Sequence, residues 1–188
     1  MNIFILHEDP VVAAHMQCDK HVPKMVVESA QMLSTAHRML DGTVQIGPSK
    51  SGKRMVKHYR LFDNPQMDDV LYKAVHYKHP CTVWTMESSD NYLWHWNHFV
   101  ALCDEFEYRF GKIHKSSQLK DPLWSIPNNI PKSGMTPFKL AMTSNPECMF
   151  EDAVKSYRAF YHTKQDRFKM AWEKTRTKPY WFEHKEAC

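Results

Sequence analysis

Apolar residues recur at three- and four-residue intervals along most of the chain, the spacing that stacks side chains on one face of an α-helix. Residues 2–7 are a short apolar run that reads as a buried strand or extended segment. Asp9-Pro10 then offers a helix start, with Asp9 as cap and Pro10 at the first helical position, where its missing N–H is no loss. Helical spacing runs through Val11, Val12, Ala14 and Met16, is expected to bend at Pro23, and resumes to Leu40, where Asp41-Gly42 supplies a stop. Residues 43–57 are polar, glycine-bearing and basic, and read as a mobile loop leading into a helix, although 43–46 also suit a strand. Asn64-Pro65 is the next helix start, and helical spacing over 67–77 should end before His79-Pro80.

Residues 81–110 form a long aromatic-rich helical stretch, broken near Ser88-Ser89 and closed by Gly111. Pro122, Pro127, Pro131, Pro137 and Pro146 make residues 112–147 an irregular excursion with short helical turns at most. So long a loop in a compact domain is usually functional or packed over the surface. A last strong helix is expected over 149–172, followed by a basic, aromatic tail over 174–185. The pattern predicts a mainly α fold: one compact helical domain over residues 1–188 with a short N-terminal extended segment, a long Pro-rich loop and no internal repeat.

Within this pattern one helix carries a polar line. His21, Lys24, Glu28 and Gln31 share a face, while Met25, Val26, Val27, Met32 and Leu33 occupy other sectors and pack inward. A base, a cation, a carboxylate and an amide in a row suit either a site or a solvated face. Pro23 interrupts the helix where the line begins, which favours a site.

Composition narrows the classes. The chain has 188 residues, 43% hydrophobic and 24% charged, as expected of a soluble globular protein. No apolar run approaches the roughly 20 residues that span a bilayer, and residues 1–6 lack the charged start and long apolar centre of a signal peptide, so a cytoplasmic protein with no membrane partner is expected. Cys18, Cys81, Cys103, Cys148 and Cys188 are odd in number and scattered, which fits reduced, mostly buried thiols. The formal charge of +4 alone implies no nucleic acid, but 6 Trp, 8 Tyr and 10 Phe among many Lys, Arg and His can stack on bases while contacting phosphates.

Several signatures fail. Gly47-Pro48-Ser49-Lys50-Ser51-Gly52-Lys53 has the glycine spacing of a phosphate-binding loop, but Arg54 stands where a hydroxyl would hold magnesium, and no alternation of strands and helices follows. A basic loop touching a phosphate backbone is the better reading for Lys50, Lys53 and Arg54. His95 and His98, three apart on a helix, can bind metal if Asp104 or another ligand joins them, or serve as hydrogen-bonded core residues among Trp94, Trp96 and Phe99. His15, His21, Glu28 and His37 are also compatible with a metal but match no ligand motif, so no metal or other cofactor is assigned. Nucleophile-elbow and dinucleotide motifs are absent. An amine at the head of a buried strand remains as a candidate nucleophile, since a desolvated amine is partly neutral near neutral pH.

Three patches in order resemble the phage pyrimidine-dimer DNA glycosylases, the endonuclease V family. They are Lys20-His21-Val22-Pro23-Lys24 on the first long helix; His79 ahead of a helix bearing Leu102-Cys103 and Arg109-Phe110-Gly111; and the closing Lys178-Pro179-Tyr180-Trp181-Phe182. Together they cover about a third of the chain. The resemblance implies that a free amino-terminal amine attacks the sugar carbon bearing a damaged base and forms a Schiff base that permits strand cleavage. A first-helix carboxylate would stabilise the cationic sugar while basic residues grip a kinked duplex. Carried onto this chain, the amine is that of Met1, because Asn2 is too large for efficient removal of the methionine. His21 stands at the carboxylate position, and Glu28 is the nearest acid on that face.

The leading expectation is therefore a monomeric DNA-acting enzyme with glycosylase or glycosylase/lyase chemistry. Its catalytic candidates are Met1, His21 and Glu28, with Lys20, Lys24, Lys50, Lys53, Arg54, Arg109 and Lys178 as nucleic-acid contacts and Gln31 and His79 as further candidates. The alternatives are a metal-dependent hydrolase or nucleotide-processing enzyme with His and Glu ligands on facing helices, and a non-enzymatic helical nucleic-acid-binding module.

Overall fold

The computed structural model describes residues 1–184; Lys185, the end of the expected tail, and Cys188 lie outside the described residues. The fold is mainly helical with one small sheet. Residues 1–6 form no regular element, yet Ile3, Phe4, Ile5 and Leu6 are buried, so the apolar run is core chain that turns at Phe4 rather than a paired strand. Helix α1 (Pro10–His15) is capped by Asp9, whose carboxylate accepts from the N–H groups of Val11 and Val12. Helix α2 (His21–Leu40) follows after a break, not a kink. Pro23 falls in its first turn, where a missing N–H leaves no helical bond unmade, so the expected bend at Pro23 becomes a clean restart at His21.

The expected loop over 43–57 is instead an antiparallel hairpin, β1 (Thr43–Pro48) with β2 (Met55–Arg60), in the register Val44 opposite Tyr59 and Ile46 opposite Lys57. β-branched and aromatic residues favour the pleated ribbon, and Gly52 supplies a positive φ of 72° at its turn. Helix α3 (Pro65–Val70) starts on the Asn64 cap as expected but ends at Val70 rather than Tyr77. The backbone beyond it serves Arg38, whose guanidinium donates to the carbonyls of Tyr59, Asp68, Leu71 and Tyr72 and to the Asp68 carboxylate at 2.6 Å. Five hydrogen bonds from one buried side chain outweigh the helical preference of residues 71–77.

Helix α4 (Pro80–Glu87) is capped by His79, and α5 (Ser89–Phe110) by Ser88, which breaks the aromatic stretch where expected. Gly111 closes α5 in the left-handed region at φ 63°. The excursion over 112–147 is irregular with short 3-10 turns, as its prolines dictate. Helix α6 (Ala153–His162) is shorter than the expected span over 149–172; a 3-10 turn at Thr163–Asp166 ends it. Helices α1, α2 and α4 pack on α5, which is the central element. Among the described residues no helix is long and apolar enough to cross a membrane, and Cys18, Cys81, Cys103 and Cys148 are free and buried.

Histidines knit this packing. His98 Nδ1 donates to the Pro10 carbonyl at 2.8 Å, which leaves Nε2 to accept from Gln17. His37 Nε2 meets the Tyr92 hydroxyl at 2.9 Å, and Thr85, having given its proton to the Cys81 carbonyl, accepts from His95 Nδ1. Burial pushes the imidazoles of His37 and His98 down to about 4 and that of His95 well below its ordinary value. These groups are neutral when folded and protonate more readily when unfolded. Their contribution is therefore complete above the ordinary histidine value near 6.5 and is lost as pH falls toward 4. Each adds a slope of about 1.4 kcal/mol per pH unit in that window. Denaturant unfolding should accordingly show clearly lower stability at about pH 5 than at about pH 7.5, with uptake of several protons on unfolding. Equal stability at the two values would remove this role for the buried imidazoles.

Candidate functional site

A cleft of about 580 Å3 opens between the first residues of the chain, the start of α2 and the far end of α6. Met1, Asn2 and Phe4 line it on one side, Lys20, His21, Lys24 and Glu28 on a second, and Phe160, Lys164, Arg167 and Phe168 on a third. Helical periodicity explains the second side, since residues 21, 24 and 28 of α2 project the same way.

Glu28 organises the cleft. Its Oε2 accepts the Asn2 N–H at 2.9 Å and lies 3.6 Å from the Met1 amine, while Oε1 lies 3.5 Å from Lys24 Nζ. The amine is thus held beside a carboxylate. His79 stands close by at the N-terminus of α4, and burial together with the positive Met1 amine holds its imidazole below the ordinary value.

The Phe4 backbone lies in the left-handed region at φ 55°, a conformation an aromatic residue rarely adopts. The Asn2 side chain accepts the Phe4 N–H at 2.9 Å and holds the turn, which stacks the Phe4 ring on His21 at 5.0 Å between centroids. His21 Nδ1 meets the Tyr161 hydroxyl at 2.8 Å, and that hydroxyl accepts the Cys18 N–H. One proton is shared between the phenol and Nδ1, and the His21 side chain lines the cleft. Burial, reinforced by Lys24, Lys164 and Lys20, pushes the His21 imidazole down to about 3. At neutral pH His21 is uncharged rather than a cation.

The other residues singled out from the sequence divide sharply. Met1, Lys20, His21, Lys24 and Glu28 converge, with His79 behind the amine. Gln31 lies one turn beyond the cleft and does not line it. Lys50, Lys53 and Arg54 line a shallow basin at the hairpin tip, and Lys178 is exposed elsewhere. Arg109, expected to contact nucleic acid, is buried: it donates to Glu105, to Asp19 and to the carbonyls of Gln17 and His15. It was named through the Arg109-Phe110-Gly111 patch of the resemblance, but the orphan carbonyls after α1 needed a donor. The metal-ligand sets are dispersed. His15 faces Glu105 and His37 faces Tyr92, while His95 and His98 serve the core; among the described residues no three His, Cys, Asp or Glu side chains are grouped to hold a metal.

Sequence reasoning missed Phe4, Lys164 and Arg167. A signal existed for the last two, because Phe160, Lys164, Arg167 and Phe168 follow one another at helical spacing. No family model matches the chain, and neither a curated protein nor a solved structure shows significant similarity to it.

Arg109 makes a firm case for stability. Replacing it with methionine leaves Glu105 and Asp19 short of their partner inside the protein, and breaking such a buried pair costs about 3–5 kcal/mol. The denaturation midpoint of R109M should fall accordingly; an unchanged midpoint with weakened DNA binding would return Arg109 to the interface.

Proposed function

We propose that the chain is a DNA-acting enzyme of the glycosylase or glycosylase/lyase type, a distant relative in chemistry of the pyrimidine-dimer glycosylases that its sequence resembles. The observation that carries this reading is the convergence of the Met1 amine, Glu28 and His21 in one cleft whose rim is basic. The uncharged amine, held in place by Glu28 and with its proton released to solvent, attacks C1′ of a nucleotide turned out of the stack. The glycosidic bond breaks with its electrons going to the departing base, and loss of a proton from nitrogen with ring opening of the sugar gives the Schiff base. Abstraction of a proton from C2′ then expels the 3′ phosphate, and water releases the sugar remnant from the amine.

Glu28 orients the Met1 amine and, remaining ionised, supplies the negative charge beside the cationic sugar. His21, being neutral, does not oppose the positive charge that develops. Lys20 and Lys24 hold phosphates at the cleft, and Lys50, Lys53, Arg54 and Lys178 offer further contacts along a duplex. The protein acts as a monomer in the cytoplasm and needs no cofactor for this chemistry.

Borohydride reduction in the presence of abasic, uracil-containing or ultraviolet-irradiated DNA should trap a covalent adduct, and peptide mapping should place it on Met1. Selective acetylation of the amino terminus should abolish it. The variant E28Q keeps an acceptor for the Asn2 N–H but loses the charge, and should turn over on the order of 10²-fold more slowly with binding unchanged. The proposal fails if none of these DNAs yields an adduct, or if the adduct persists on an acetylated terminus.

A further inference from the structure

The third wall of the cleft carries charge that no carboxylate among the described residues pairs with. Lys164 is 7% exposed, and its Nζ rests 3.3 Å from the centre of the Phe160 ring. Lys20 Nζ lies 4.4 Å from the centre of the Phe168 ring. These rings fix two ammonium groups in place through cation–π contact, which orients a cation without discharging it. Among the described residues neither lysine has a carboxylate partner, and neither does Arg167; of the lysines in the cleft only Lys24 is paired, with Glu28. Among the described residues Glu28 is the single carboxylate that lines the cleft with Lys20, Lys24, Lys164, Arg167 and Met1. Burial, helped by Arg167 and Lys24, has already pushed the Lys164 ammonium down to about 8. Confining cations in this way is unfavourable unless an anion joins them.

We propose that Lys20, Lys164 and Arg167 form a phosphate-binding wall that seats one nucleotide of the substrate by its phosphate. The inference rests on the same cleft being the reaction site and adds how the reacting sugar is positioned there. A phosphate held by this wall places the attached sugar between it and Glu28, on the side of the Met1 amine. The ring faces of Phe160 and Phe168 that carry the ammonium groups are occupied, so these phenylalanines act as supports for the cations. The phosphate is either a diester of a DNA strand or the monoester of a free nucleotide, since both present the same oxygens to the wall.

The two sources are separated by equilibrium binding of the full chain to two pairs of probes. One is a labelled oligonucleotide bearing a tetrahydrofuran abasic analogue, which has no aldehyde and forms no Schiff base, beside its unlabelled competitors inorganic phosphate and pyrophosphate. The other is thymidine monophosphate beside thymidine. Lys164→Gln and Arg167→Gln should each weaken binding of a phosphate-bearing probe about tenfold and lower its salt dependence by about one charge. Lys164→Arg, which keeps the charge, should stay near the unaltered protein. Phosphate-dependent binding of the monophosphate assigns the wall to a monoester, and binding of the oligonucleotide alone assigns it to a diester. If both glutamine variants melt like the unaltered protein and bind both probes equally well, the wall is not a phosphate site. Because the analogue cannot react covalently, this result is independent of borohydride trapping: binding of the analogue together with no adduct on abasic, uracil-containing or irradiated DNA overturns the amine chemistry and leaves the wall standing.

Discussion

Glu28 is the constraint on which the cleft depends. A carboxylate with little solvent contact needs donors, and this one takes the N–H of Asn2, the amine of Met1 and the ammonium of Lys24. Those contacts tie the first two residues of the chain to the middle of α2. The apolar residues behind them, Ile3, Ile5 and Leu6, are then drawn into the core, while the turn at Phe4 directs one ring back over His21. Backbone strain at Phe4 is sustained because Asn2 on one side and the packed rings of His21, Phe160 and Tyr161 on the other over-determine it.

The orientation of α2 has a separate origin. The five residues between α1 and α2 leave carbonyls at His15 and Gln17 without helical partners, and the Arg109 guanidinium, projecting from α5, satisfies both while pairing with Asp19 and Glu105. Arg176 closes the set from the far end of the chain through two bonds to Glu105. Asp19 also accepts the N–H groups of Glu173 and Lys174. This buried network, more than Pro23, determines where α2 starts. It thereby sets which way Lys20, His21 and Lys24 face.

Elements with strong local signals could be read from the sequence, because caps and breakers act on neighbouring residues: Asp9-Pro10, Asn64-Pro65, His79-Pro80, Ser88 and Gly111 all mark real helix ends. Elements decided by distant partners could not. The stretch after Val70 has helical spacing but yields its carbonyls to Arg38, and the hairpin, polar at its tip, is defined by pairing between residues up to seventeen positions apart. In the cleft, the face of α2 was visible as a polar line at helical spacing, and the proximity of Met1 to it was reached through resemblance rather than periodicity. Lys164 and Arg167 were hidden by their setting among aromatic residues that read as one continuous core helix. Arg109 misled for another reason: it was named through the resemblance, a cation normally faces water, and only the three-dimensional break between α1 and α2 gives it an interior to fill.

His21 shows why residue type at a matching position is a poor guide to charge. A protonated imidazole beside a developing oxocarbenium ion would oppose it, and on sequence alone the substitution looks incompatible with the chemistry. Burial against Phe4, Phe168 and Tyr161, in a cleft already occupied by lysines, removes that charge. Negative charge stands two turns along α2 at Glu28, beside the Met1 amine. With the acid at position 28 and an uncharged imidazole at position 21, the negative charge lies where the amine is, and the remaining charged lining, Lys20, Lys164 and Arg167, is positive.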